Sequence, residues 1–534
     1  MQHKIRFLAA LLAAVMCLAF AFAEEDGAWD LGGGLTGETG EDAGANADVY
    51  DAELLIGYVA ASGASLNPFL CKDWDLISLN QLVFESLVTL DENQKPSPML
   101  ADNWTHEDDV WTFTLRSGIT FHNGQPLTAY DVKSTYDCFM SAGDSNPYYA
   151  RLNRLISALE AVDDRTVAVK AKYPGMITLY AMTFPVVQSA TVYDDMPRGT
   201  GPYWYVSYYV DNAARIELNP LWWQQTPTIA SITFCHFGSS ADAIEGLQTG
   251  QVDMLATRSA SAALCRKLSN LTSMDYGTFT YEMLVPNLDS ASAMSDLNVR
   301  RAVMYAIDRS VLSSNAYLDM ATQSEVPILP GTWLYESQSA RYYYSPERAL
   351  QLLYDAGWSD MTGDMVLNKL EGIQLKELTV DIITYNESGA SIRENAAGMI
   401  ASNLNAVGMK AQVEVLSKKE VQSRIKSGSY DLALVAVNLD EIPVLSPLLS
   451  TGGSLNMNGY SDATMDGLIQ STATAPDEAS LKQAFSQIQL QIVDDLPILG
   501  LYFRAGTVLS SRSLGGLKGI RAMNTFRGLE YLTE

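Results

Sequence analysis

Hydrophobic and polar positions follow two different periods along the chain, and the change from one to the other marks its elements. From Pro98 to Phe139 the residues read PMLADNWTHEDDVWTFTLRSGITFHNGQPLTAYDVKSTYDCF. Trp111, Phe113 and Leu115 alternate with Thr112, Thr114 and Arg116, the period of a half-buried strand. Ser117-Gly118 turns the chain, Ile119 and Phe121 resume the alternation, and His122-Asn123-Gly124 turns it again. Thr128 precedes Asp131 at the capping-box spacing. Val132, Tyr136 and Phe139 follow at helical spacing, so a helix is expected to bury one face below the hairpin.

The same reading places strands over 53–59, 232–234, 378–383 and 411–415. Tyr430 to Val437 is a near-continuous apolar run, as expected of a strand covered on both faces. Val299 to Leu312 has the pattern of one amphipathic helix ending near Arg309. Ser345-Pro346 starts a further helix that stops at Gly357, and 391–407 and 481–493 are helical. Alternating strands and helices predict a mostly parallel α/β lobe in the second half of the chain. Arg198 to Tyr203, RGTGPY, predicts a rigid turn entering a strand, with glycine supplying backbone angles closed to other residues. Asp360 to Asp364 reads as a plain turn, because it lacks the acidic spacing and distal Glu of a calcium loop.

At 534 residues the chain exceeds a single core, so two or three domains are expected. Its 47% hydrophobic and 18% charged residues describe a globular protein, and a net charge of −27 argues against nucleic acid or an anionic membrane face as partner. Met1 to Ala23 is a secretory signal, with Lys4 and Arg6 before an apolar run and Ala21-Phe22-Ala23 as cleavage site. The apolar run is shorter than the ~20 residues a bilayer requires. Cys17 offers a lipidation reading, against which stand Met16 before it and the apolar residues beyond it. Glu24 to Asp51 is acidic, Gly-rich and without Lys or Arg, the composition of a leader that cannot order itself.

Cys71, Cys138, Cys235 and Cys265 would remain after export, with no C-x-x-C among them, and they admit three full pairings. His106, His122 and His236 show no metal-binding spacing, so no metal and no cofactor is expected. His122 reads as a turn residue, and His236 as packing rather than a nickel ligand. No G-x-S-x-G elbow, P-loop or S-x-x-K context is present, which removes the support for a secreted hydrolase.

The order of these blocks resembles the extracellular solute-binding proteins of the peptide and nickel transport type (family 5). The resemblance is carried by WTFTLRSGITFHNG followed by PLTAYDV, by RGTGPY, by AIEGLQTGQVDM, by VRRAVMYAIDR and by the return segment at Leu496-Pro497-Ile498. It implies an α/β, two-lobed class II periplasmic-binding-protein fold with an extra subdomain on the first lobe. The expected segments are a signal at 1–23, the leader at 24–51, lobe I at 52–84, 196–285 and 494–534, the extra subdomain at 85–195 and lobe II at 286–493. It also implies a non-enzymatic, monomeric, exported receptor, periplasmic or at the cell surface. Such a receptor captures a short peptide or similar small polar solute and delivers it to ABC permease subunits. A solute sensor, or a binder of nickel, a metal chelate or another non-peptide solute, is the alternative.

In peptide-binding members an aspartate after the buried strand faces the ligand ammonium. Asp440 is the best match, although the expected tryptophan is Val437 and a second aspartate before Pro443 is missing. A loop-capping carboxylate is the competing reading of Asp440. Arg393 matches an arginine that takes the ligand carboxylate in dipeptide-binding relatives, against the reading of a solvated arginine at a helix start. Tyr203, Trp204, Trp333 and Tyr385 are the aromatic candidates for the pocket wall, each with core packing as its alternative.

Overall fold

A computed structural model describes residues 50–144, 146–387, 391–441, 443–513 and 515–532. The export signal and residues 24–49 of the leader lie outside them. The first strand runs Tyr50–Val59, so it takes in the last two residues assigned to the leader.

Two long strands, Thr272–Pro286 and Leu499–Ser510, pair antiparallel in the middle of an 11-stranded sheet. On one side lie Met254–Thr257, Tyr50–Val59, Ile229–Phe237, Ala213–Leu218 and Tyr203–Tyr209, in that order. On the other lie Leu432–Asn438, Thr379–Tyr385 and Lys410–Leu416. Both long strands are therefore shared by two halves of the fold, and their register slips between Gly277 and Tyr281. The last three strands are parallel to one another, as the α/β pattern predicts, but Leu432–Asn438 meets Thr272–Pro286 antiparallel. The chain's end packs back on the first half. Thr228 Oγ1 donates to the Leu532 carbonyl at 2.6 Å, and the Phe234 and Phe526 rings lie 5.5 Å apart.

A separate four-stranded antiparallel sheet joins Ala101–Glu107, Val110–Leu115, Thr166–Ala171 and Ile156–Ala161. Val110–Leu115 is a strand as its alternation predicts, yet its partners are the strands before it and Thr166–Ala171, not the segment at Ile119–Phe121. Ile119 and Phe121 are buried but form only an isolated bridge, Thr120 to Pro126. The helix Ala129–Ala142 begins where the capping box predicts, the Asp131 carboxylate accepting from the Thr128 amide at 3.1 Å and hydroxyl at 2.8 Å.

The helix expected over Val299–Leu312 is two, Leu297–Ala306 and Arg309–Ala316. Asp308 divides them, because its carboxylate accepts from the Ser310 and Val311 amides and starts a new helix. RGTGPY enters the strand Tyr203–Tyr209, but its glycines are needed for proximity and not for unusual backbone angles. A Cβ at Gly199 would stand 2.1 Å from the Val83 carbonyl oxygen. Asp360 accepts from the Gly363 and Met365 amides, the turn its sequence indicates. Cys71, Cys138 and Cys265 form no disulfide. No helix among the described residues is long and apolar enough to cross a membrane.

Candidate functional site

The buried strand Leu432–Asn438 ends beside Thr272–Pro286, where the Leu439 amide donates to the Phe279 carbonyl at 2.8 Å. The chain then turns outward through Asp440 and Glu441. Beside this turn lies a narrow cavity with about 40 Å³ of enclosed space. Phe279 and Phe503, one from each long strand, form part of its wall. Ile328, Leu329 and Trp333 line it on one side, Leu439, Val444 and Leu445 on another, and Gln94 and Tyr180 come from the first half of the fold. The wall is mainly apolar with a few polar groups, the character of small-molecule pockets in general.

Trp333 is half-buried, and its indole N–H donates to the Tyr180 hydroxyl at 2.7 Å. That hydroxyl donates in turn to the Gln94 carbonyl at 3.2 Å, which fixes both rings in the wall. The Lys95 ammonium stands 5.9 Å from the Trp333 ring centroid and is ion-paired with Glu478 at 2.6 Å.

Asp440 also lines the cavity, but its charge is met from within the protein. The helix Pro147–Leu155, capped by Asn146 with Pro147 in its first turn, carries Arg151 on its buried face with Tyr148 and Leu152. Arg151 Nη2 lies 2.6 Å from Asp440 Oδ1 and Arg151 Nη1 lies 3.3 Å from Glu441 Oε2. Arg521, from the C-terminal segment, donates from Nε to the other Glu441 oxygen. Burial alone would raise the Glu441 carboxyl, but Arg521 and Arg151 outweigh it and hold the group below its ordinary value. Burial likewise opposes the Arg151 charge, and Asp440 and Glu441 more than restore it.

Arg393 is not the solvated helix-start residue its position suggests. Its side chain is 1% exposed and makes a two-pronged contact with Glu282, Nε at 3.1 Å and Nη2 at 3.0 Å. Arg393 Nη2 also reaches Glu387 at 2.8 Å, its Nη1 donates to the Tyr385 carbonyl, and its guanidinium covers the Tyr385 ring at 4.4 Å. Arg504 completes the cluster by bonding both Glu282 and Glu387 at 2.7 Å. Burial would raise the Glu387 carboxyl, and the two arginines lower it instead.

Of the residues singled out from sequence, the structure brings Asp440 and Trp333 to one cavity. Arg393 and Tyr385 belong to the Glu282 cluster and do not line it. Tyr203 is in the core, its hydroxyl donating to the Ile229 carbonyl, and Trp204 is half-buried with its ring edge-on to His122. Phe279, Phe503, Arg151 and Arg521 were not among those candidates. Phe503 lies far in sequence from Phe279, and no local pattern signals that long strands will bring them together. His122 is buried, its Nδ1 accepting from the Gly199 amide, and burial lowers its pKa to about 4. His236 contacts the Ala60 carbonyl and sits edge-on to Tyr58, as packing predicts. No cluster able to hold a metal ion is found among the described residues.

Two α/β halves sharing a pair of long strands, with a cavity walled by both strands, define a two-lobed solute-binding fold. The profile of bacterial extracellular solute-binding proteins, family 5 Middle, matches residues 95–459, and the chain belongs to that family. Its similarity to individual members is distant. The oligopeptide-binding protein AppA of Bacillus subtilis is 21% identical over 467 residues, covering 82% of this chain and 84% of AppA. Heme-binding protein A of Haemophilus influenzae is 22% identical over 490 residues, covering 84% and 87%. The crystal structure of a nickel ABC transporter protein from Bacillus halodurans superposes with a TM-score of 0.74 at 20% identity, covering 88% of this chain and 97% of that one.

Proposed function

We propose that this chain is the solute-binding component of an ABC importer, capturing a short peptide or a similar small polar solute between its lobes and handing it to a membrane permease. The observation that carries the reading is the cavity, whose wall unites both long strands with the turn at Asp440 and the segment bearing Trp333. A site shared by two halves of a fold couples occupancy to their closure, because a solute touching both walls favours the closed arrangement. Relatives carry names for oligopeptide and heme binding, and on this reading the choice of solute rests with the cavity wall and not with the fold. The protein acts as an exported monomer without catalysis, and Asp440 and Trp333 are the residues assigned to the solute wall. Mass spectrometry of small molecules released from the purified protein, followed by calorimetry with the compounds found, tests the reading. A defined solute bound one-to-one is expected. A protein that releases no small molecule and binds no member of a peptide library refutes it.

A further inference from the structure

The cavity is too small for the solute assigned to it. Its enclosed space of about 40 Å³ takes a few water molecules at ~10–15 Å³ each, whereas pockets for small molecules run to about 300–1,000 Å³. The two halves must therefore part before a solute can settle against Asp440 and Trp333. A buried ion cluster resists that parting. Arg151 stands on the helix Pro147–Leu155, which leads into the four-stranded sheet, and Arg521 on the C-terminal segment whose Phe526 packs on Phe234 of the first half. Asp440 and Glu441 follow directly on Leu432–Asn438, a strand of the second half. Arg151 meets Asp440 at 2.6 Å and Glu441 at 3.3 Å, and Arg521 bonds the other Glu441 oxygen. The Arg151, Glu441 and Arg521 side chains are 4%, 5% and 8% exposed, so water and salt screen these pairs little. Two backbone hydrogen bonds cross between the halves as well. The Trp333 amide donates to the Asn93 carbonyl at 2.9 Å, and the Met176 amide to the Ala475 carbonyl at 2.9 Å. Trp333 belongs to the second half here, since the Leu334 carbonyl next to it accepts from Gln489 of the helix Glu478–Asp495.

Given the reading of this cavity as the solute site, we infer that Arg151 and Arg521 latch the two halves shut around Asp440 and Glu441, and that a solute gains the wall only when this latch parts. Both arginines stand outside the cavity wall, so they act on access and not on contact with the solute. A latch of this kind lowers the apparent affinity by the fraction of molecules that are open. Removing one arginine leaves a carboxylate short of countercharge in the closed arrangement, and parting the halves returns that carboxylate to water. The balance then shifts toward the open arrangement.

Hydrogen–deuterium exchange of the purified protein, resolved to the Trp333 and Met176 amides, tests the latch on the wild type, Arg151→Gln and Arg521→Gln. These amides report parting of the halves because the acceptor of each lies on the other half. Amides of the strand Val110–Leu115, bonded within the first half, are the control. The wild type is expected to protect both crossing amides, and each variant to exchange them at least tenfold faster with the control unchanged. Arg521→Gln decides if Arg151→Gln fails to fold. Crossing amides that are unprotected in the wild type overturn the inference, as do variants that leave their exchange unchanged. Equal acceleration of the control strand also overturns it, since the arginines then support the fold and not the closure. The measurement needs no solute. A failed latch therefore leaves the solute-binding reading intact, and a protein that binds no solute leaves the latch result standing.

Discussion

Arg393 can be read as a ligand anchor or as an internal counter-charge, and the energetics of its cluster separate the two. Glu282 has no solvent exposure and takes hydrogen bonds from Arg393 and Arg504. Replacing Glu282 by alanine leaves two arginines side by side with only the half-exposed Glu387 between them. Replacing Arg393 by alanine leaves Glu282 still bonded to Arg504. Breaking a buried pair by removing one partner costs about 3–5 kcal/mol. Glu282→Ala is accordingly expected near the top of that range and Arg393→Ala near the bottom, about 3 kcal/mol. Both should lower the urea midpoint with little change in slope, since the surface exposed on unfolding is nearly the same. Urea titration followed by circular dichroism, without added solute, measures both. Arg393→Ala within about 1 kcal/mol of wild type would refute the counter-charge reading, and so would the reverse ranking of the two variants.

Glu85 is buried among the Trp222 and Trp223 indoles, the Thr200 hydroxyl and the Gln224 amide, with no cation bonded to it among the described residues. Burial lifts its carboxyl from 4.5 to about 7 despite these donors. The folded state therefore binds the proton more tightly than the unfolded chain, so the group's contribution is largest below pH 4.5 and is lost as pH rises to about 7. At ~1.4 kcal/mol per pH unit the loss is at most about 3 kcal/mol. Glu85→Gln should flatten the rise in melting temperature on acidifying from pH 8 to 5, relative to wild type, and an unchanged profile would count against it. Gly199→Ala forces a methyl against the Val83 carbonyl and is expected to destabilise by about 1–3 kcal/mol or more, visible in the same urea titration.

Much of the fold was legible because its causes are local. The Thr128–Asp131 cap, the proline-started helix at Pro346, the alternation at Trp111–Leu115 and the apolar run at Leu432–Val437 each state their own conformation within a few residues. Where local readings failed, a nearby polar group or a distant partner had intervened. Asp308 split one helix into two, and Ala101–Glu107 and Thr166–Ala171 took the place beside Val110–Leu115 that Ile119–Phe121 was expected to fill. The ordered blocks were enough to place the chain in its family, since the order of elements is itself a property of sequence.

The state of the site's charges was not legible, because pairing is decided by approach in space. Asp440 stands out by its position after a buried strand, but nothing near it announces Arg151, 289 residues earlier, or Arg521 on the adjoining Glu441. Arg393 likewise reads as a surface residue at a helix start until Glu282, on a strand 111 residues away, arrives beneath it. A formal charge belongs to the residue, whereas its availability to a solute depends on which countercharges the fold brings within about 3 Å and on how much water remains between them. Residue types and the order of elements were set by sequence alone. Which charges are spent internally, and which cavity they face, was decided by the tertiary structure.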